Sequence, residues 1–321
     1  MAHILVTGIN GFLGLQMAEQ LLKQNHHVTG LDMSDSNIPT LNTYDNFSFY
    51  RANITDMASF PEEIKQCDTL IHLAALVHNK AKDLSKENYF DINLQGTKNM
   101  IFYLDASRLK QVIFTSTVSI YGDLTQTTIP DENSTANPID YYGESKMAAE
   151  QFIIETCRQQ NISYTILRLA PVYGKDFLLN ICKRVYLPKK LAFYKVGSGN
   201  QKLSLCSCNN VTDFIISALN AQGVANETLL VKDNDDYSIN EIIHTLKEGF
   251  SQKRKLILVI PAGLPRLVFK LITLVWPQKG RFLLYNLDKI AKSALYSGRK
   301  LQSTGIALKW NIKNTLFGTH D

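Results

Sequence analysis

Long uninterrupted apolar runs are missing from this chain. The longest candidate, residues 256–276, is broken by Pro261, Gly263, Pro265, Arg266 and Lys270, so no regular membrane-spanning helix fits it. Cysteine is scarce: five residues, at 67, 157, 182, 206 and 208, odd in number and mostly far apart. That spacing excludes a disulfide framework and reads as reduced, buried thiols of a cytoplasmic protein. Cys206 and Cys208 have no further ligands at short spacing, so no metal site is expected. Met1-Ala2-His3 runs straight into Ile4-Leu5-Val6-Thr7-Gly8, which offers neither the charged region nor the apolar core of a secretion signal, and none is expected. Internal repeats, low-complexity tracts and an obvious linker are absent too.

What is present is enough for a sizeable core: 321 residues, 45% of them hydrophobic. Lys and Arg number 34 against 29 Asp and Glu, a net charge of +5 that reads as scattered. Such an excess suits an anionic small ligand as well as nucleic acid and selects neither. In the first half, β-rich runs at 4–7, 28–32, 47–52, 69–74, 111–116 and 164–169 alternate with helical stretches at 12–24, 57–66, 88–107 and 142–160. This is the pattern of an α/β fold, a doubly wound parallel sheet of the Rossmann type. Beyond Arg168 the regularity weakens. Strands are expected at 203–207 and 228–231, and Ser238 with Glu241 forms a capping box that opens a helix. The reading is therefore a nucleotide-binding domain over 1–170 and a smaller C-terminal α/β substrate lobe over 171–321, which returns elements to the first domain. Residues 265–276 predict a short helix whose apolar face, Leu267, Val268, Leu271, Ile272 and Val275, packs on its own domain or on a dimer partner. Peripheral membrane contact through Arg266 and Lys270 is the lesser alternative.

Thr7-Gly8-Ile9-Asn10-Gly11-Phe12-Leu13-Gly14 lies between a predicted strand and a predicted helix. Gly8 serves the turn, Gly11 the close approach to a pyrophosphate, and Gly14 the packing of helix on strand, while the helix start offers free N–H groups to the phosphates. Asp32, 18 residues beyond Gly14, ends the next strand. A carboxylate there accepts from ribose hydroxyls and repels a 2′-phosphate, and no Arg or Lys lies between Asp32 and Arg51, so NAD is expected rather than NADP. Tyr142 and Lys146 stand four apart on one helical face. A phenol with a pKa of about 10 is a poor base until a neighbouring positive charge favours the phenolate. The hydroxyl-rich strand end at Thr115-Ser116-Thr117 is readable as local capping or as a donor to a substrate oxygen.

These residues together resemble the extended short-chain dehydrogenase/reductases, in their NAD-dependent epimerase/dehydratase branch. The resemblance spans nearly the whole chain, on TGINGFLG (7–14), Asp32, IHLAA (71–75), Asn93 with Gly96-Thr97, FTSTVSIYG (114–122), YGESK (142–146) and LRLAPVYG (167–174). It implies that Thr117 and Tyr142 grip the reacting alcohol while Lys146 binds the nicotinamide ribose and tunes Tyr142. It further implies that Gly8, Asn10, Gly11, Phe12, Leu13, Gly14, Asp32, Leu73, Ala74, Ala75, Asn93 and Thr115 line the cofactor cleft. Asn53-Ile54 flank the adenine, with Asn53 where the family usually has Asp. His72 reads as structural. The resemblance also implies a nucleotide-sugar substrate, UDP-linked in the first instance, no nucleic-acid partner, no stable membrane insertion, and a homodimer through the helices at 88–107 and 142–160 with Phe102, Ile153 and Ile154 as apolar contacts.

Family dehydratases carry an Asp-Glu pair after the catalytic hydroxyl residue, where this chain has Val118 and Ser119, so elimination of water is not expected. The family's diphosphate-contacting arginine aligns with Leu203, and Pro171 replaces a substrate-contacting Asn. Lys202, Arg266 and Arg281 remain as alternatives for the diphosphate charge. The first reading is an NAD-dependent C4 epimerase of a UDP-hexose or UDP-N-acetylhexosamine. The alternatives are a 4-keto nucleotide-sugar reductase, a 3β-hydroxysteroid-dehydrogenase-like oxidoreductase, and a dinucleotide-binding scaffold without activity.

Overall fold

The computed structural model describes residues 2–77, 84–122, 128–261 and 263–318. Six strands form in the first half: β1 (His3–Thr7), β2 (His27–Asp32), β3 (Phe47–Arg51), β4 (Thr69–His72), β5 (Gln111–Thr117) and β6 (Ser163–Leu169). They join one parallel seven-stranded sheet whose seventh strand, Glu227–Val231, comes from the second half and pairs with β6. Along the sheet the order is 227–231, β6, β5, β4, β1, β2, β3, so the winding reverses between β1 and β4. In sheets wound this way a ligand crevice lies at such a reversal, outside the C-terminal strand ends.

Helix α1 (Phe12–Lys23) buries Gly14, Met17, Ala18, Leu21 and Leu22, the three- and four-residue spacing of one helical face. Its core is shared with the second half: Val211, Phe214, Leu229 and Leu230 sit in the same buried cluster as Ile4, Val6 and Met17. The helix Cys208–Ala218 and the strand 227–231 are thus returned to the nucleotide-binding sheet. A separate buried cluster is built on Tyr173, Phe193, Leu203, Tyr237, Ile242 and Leu316, all from the second half.

Three helical expectations need correction. The stretch 57–66 is two 3₁₀ turns, Met57–Ser59 and Glu62–Gln66, because Pro61 interrupts it. The stretch 88–107 begins earlier and is composite: α2 (Lys86–Phe90), a π-helical turn (Asp91–Gln95), then α3 (Gly96–Tyr103). The helix at 265–276 spans Gly263–Val275, but its apolar face does not pack on its own domain. Leu267, Val268, Leu271 and Val275 are exposed, and only Ile272 of the five is half-buried. One dimer expectation also changes. Ile153, on α4 (Tyr141–Gln160), is fully buried in the chain's own core, whereas Phe102 is exposed beside Phe152.

Candidate active site

The glycine turn leaves β1 with Gly8 at φ +71°, and a Cβ there would lie 2.7 Å from the Ala74 backbone nitrogen. Only glycine brings the turn this close to the end of β4. Gly11 starts α1 without any side-chain cap, so the first N–H groups of the helix are available to an anion. A Cβ on Gly14 would lie 2.6 Å from Ile9 Cα, which locks helix against turn. Phe12 stacks on Phe177 at 5.1 Å, and Leu13 is half-buried beside it in sequence. Asp32 is held by two backbone donors, Asn10 N and Ser34 N, each at 3.1 Å. The Asn10 side chain clamps the loop beyond β2 by accepting from Asn37 N at 2.8 Å. A narrow glycine cradle, an uncapped helix start and a fixed carboxylate fit a dinucleotide.

Parallel register sets Arg51 directly beside Asp32, and Arg51 Nε donates to Met33 O at 3.0 Å. Eighteen residues of sequence lie between this cation and Asp32. Asp32→Ser is therefore expected to remove the repulsion of a 2′-phosphate and leave Arg51 to receive it. Titration with NADH and NADPH should show the affinity ratio moving at least about tenfold toward NADPH, roughly one charge-assisted contact.

Leu73, Ala74 and Ala75 follow β4 and are half-buried, tied to β1 through Leu73 N to Thr7 O (3.2 Å) and Ala74 N to Thr7 Oγ1 (3.3 Å). Asn93 is buried in the π turn and holds both sides of the cleft. Its Oδ1 accepts from Leu76 N (2.7 Å), and its Nδ2 donates to Leu76 O (3.0 Å) and Ser145 Oγ (2.9 Å). Ser145 in turn donates to Tyr142 O at 2.9 Å. Thr97 Oγ1 donates to Asn93 O (2.7 Å) and meets His72 Nε2 (2.9 Å), while His72 Nδ1 meets Thr7 Oγ1 (2.6 Å). Burial, helped by the Lys146 charge, lowers the His72 pKa to about 3, so this imidazole is neutral and structural at pH 7. Thr115 Oγ1 donates to His72 O at 3.2 Å. Asn53 Oδ1 is committed to its own turn, accepting from Thr55 N at 3.1 Å, and the Ile54 side chain fills the space over Gly96.

Thr117 ends β5, and its hydroxyl accepts from Ser119 N at 3.1 Å. It also hydrogen-bonds the Tyr142 phenol. Tyr142 is delivered by the start of α4, where Asp140 caps the helix by accepting from Gly143 N at 2.7 Å. A Cβ on Gly143 would lie 2.8 Å from Ser119 O, so a glycine there lets the helix press on the turn after Thr117. Lys146 is one helical turn on, 1% exposed, with Nζ 3.9 Å from the centre of the Phe114 ring. Burial pushes Tyr142 up to about 12; the Thr117 hydroxyl opposes the rise and the Asp140 charge adds to it. Burial also pulls Lys146 down to about 7, against the charge of Glu150. Lys146 rests on the Phe114 ring.

Several residues escaped the sequence reading. Glu150, one turn beyond Lys146, forms a buried ion pair with Arg168, its Oε2 accepting from Nε (3.1 Å) and Nη2 (2.8 Å), and Arg168 also donates to Tyr121 Oη at 3.0 Å. Ser145 lay inside the YGESK motif unremarked, and its signal was its place between the two functional side chains. Arg184 is half-buried, donates to Lys289 O, and lies near enough to Tyr194 and Tyr296 for their charges to act on it. Tyr296 packs near Tyr121, with ring centres 6.2 Å apart, beside the turn that carries Thr117. Of the three expected diphosphate cations, Arg266 is paired with Asp288, Arg281 donates to Pro277 O, and Lys202 is exposed. Leu203 is buried and Pro171 is exposed.

A sequence model of the NAD dependent epimerase/dehydratase family matches residues 4–231. An N-acetyl-alpha-D-glucosaminyl-diphospho-ditrans,octacis-undecaprenol 4-epimerase of Escherichia coli O157:H7 is 24% identical over 98% of this chain and 93% of its own length. A UDP-glucose 4-epimerase of Vibrio cholerae is 28% identical over 76% of this chain and 74% of its own. The crystal structure of UDP-glucuronic acid 4-epimerase from Bacillus cereus with NAD shares the fold, with a TM-score of 0.76 at 21% identity over 98% of this chain and 96% of that one. With the glycine cradle, the carboxylate at the end of β2 and the doubly wound sheet in place, the chain belongs to the NAD-dependent epimerase/dehydratase family.

Proposed function

We propose that this protein is a 4-epimerase acting on a sugar carried by a diphosphate, in the first instance a UDP-sugar. The observation that carries this reading is the hydrogen-bonded pair of Thr117 and Tyr142, with Lys146 one turn beyond, in a chain that has Val118 and Ser119 where a dehydratase needs an acid and a base. NAD, when bound, supplies reversible hydride acceptance at the sugar carbon. The chain's own residues orient and move the proton. Thr117 holds the substrate oxygen, Tyr142 Oη takes its proton and later returns it, and Lys146 keeps positive charge near the phenolate. Asn93, through Ser145, fixes the backbone of Tyr142. Arg184 is our candidate for the diphosphate, by its place beside Tyr296.

A second reading, a polyprenyl-diphosphate-linked sugar, is favoured by the 98% coverage of the Escherichia coli relative. Proton NMR with UDP-glucose, UDP-N-acetylglucosamine and undecaprenyl-diphospho-N-acetylglucosamine, each with catalytic NAD, decides between them. A new anomeric signal of the C4 epimer without net NADH is the expected result. Stoichiometric NADH would instead make the protein a dehydrogenase. No conversion of any of the three, with turnover of a 4-keto sugar or a steroid alcohol, would replace the proposal by the corresponding oxidoreductase.

A further inference from the structure

We propose that the two consecutive helices Gly263–Val275 and Pro277–Ala291 form a docking surface for an anionic lipid bilayer. They pack on each other: Gly280 leaves no room for a side chain against Thr273, and Asp288 ties Arg266 on one helix to Lys292 just beyond the other (3.0 Å to Lys292). Among the described residues nothing covers their outer side. Leu267, Leu271, Leu274, Val275, Trp276 and Phe282 are 56–79% exposed. Residues 267, 271 and 274 recur at helical spacing, so the apolar atoms form one stripe rather than isolated patches. In the preceding strand Ile257–Ile260, Ile257, Leu258 and Val259 are also exposed.

Charge selects the occupant. Residues 251–292 hold nine of the 34 Lys and Arg but only one of the 29 Asp and Glu, a net charge of +8 in a chain whose total is +5. The rest of the chain is net −3, so the basic residues are concentrated here, not scattered. The single acid, Asp288, is spent inside the helical pair. A second copy would bring +8 against +8, which disfavours a dimer through this face. An apolar stripe flanked by cations, with Trp276 at the connection between the helices, matches the headgroup boundary of an anionic bilayer. Among the described residues no helix is long and apolar enough to cross a membrane, so the helices would lie in the interface.

The surface is also connected to the catalytic side. Beyond the second helix, Ala294 N donates to Lys202 O at 2.8 Å, and two residues later Tyr296 reaches Tyr121. Docking would hold the Tyr121 side of the crevice near the lipid headgroups, where a membrane-borne diphospho-sugar is presented. The docking itself does not depend on the proposed activity.

Flotation of the full chain with vesicles of phosphatidylcholine and phosphatidylglycerol (3:1), against phosphatidylcholine alone, tests this. Most of the protein is expected to float with the anionic vesicles, with a blue shift of Trp276 fluorescence that Trp276→Phe abolishes. Leu271→Glu with Leu274→Glu should weaken partitioning at least about tenfold, and Lys270→Gln with Lys279→Gln about 25-fold, roughly fivefold per cation. Both double variants should keep wild-type NAD affinity, which separates loss of docking from loss of fold. Failure to float, or flotation unchanged in the variants, overturns the inference. So does a dimer in sedimentation that the same leucine substitutions dissociate without vesicle binding. A protein that floats but epimerises nothing would keep this inference and remove the proposed activity.

Discussion

Tyr142→Phe is expected to lower kcat about 10²- to 10⁴-fold, the usual worth of a positioned acid–base group, with NAD affinity changed less than about twofold. In barrier terms that is about 3 to 5 kcal/mol. The loss should fall on kcat rather than KM, because removing the oxygen takes away proton transfer and leaves the ring packing. The phenol starts from an unfavourable place: burial holds it up at about 12, and the Thr117 hydroxyl pulls against that rise. Positive charge must therefore be added when the cofactor and substrate assemble, and the acidic limb of the kcat profile reports how much. A Phe variant within tenfold of wild type would take Tyr142 out of the chemistry.

Arg168→Met is expected to destabilise the fold by about 3–5 kcal/mol, since it strands the Glu150 carboxylate in the interior. Urea unfolding measures this, and Glu150→Met with Arg168→Met should recover most of the loss. The pair also acts on Lys146. Glu150 is the charge that supports the ammonium against burial, so removing Arg168 alone should raise the Lys146 pKa above about 7, and removing both should lower it. An ammonium persists below its pKa, so the alkaline limb of kcat/KM should move up in the single variant and down in the double. A purely structural pair would change stability and leave that limb in place. The same lysine gives the fold a pH dependence of its own. Between about 7 and 10.5 the unfolded chain binds its proton more tightly, so Lys146 makes the protein more stable as pH rises through that window.

The parts that were legible in sequence are those whose physical demand is local. Gly8 must adopt a positive φ against Ala74, Tyr142 and Lys146 must share a helical face, and Asp32 must end a strand. Each requirement shows in the residue and its spacing. What sequence hid depends on what lies opposite. Arg51 is far from Asp32 along the chain yet adjacent across the sheet. Ile153 looked available for a partner because periodicity names a face without naming its cover. The stripe at Leu267 and Leu271 failed in the reverse direction: amphipathicity predicted burial, and both side chains are exposed. Arg184 gave no local signal, since a lone arginine in a basic chain looks like solvated surface until Tyr194 and Tyr296 surround it.

The π turn at Asp91–Gln95 makes residue count itself a functional parameter. It carries more residues per turn than an α-helix, and it sets the rotational phase of everything that follows. It holds one residue more than the α turn it replaces, so deleting Ile92 or Leu94 would let the segment rewind as regular α-helix with α3 kept close to its present phase. Thr97 would stay against His72 and Gly96 against Ile54. What a chain shortened here by one residue would lose is the widening that sets Asn93 between Leu76 and Ser145, with the helices around it unmoved.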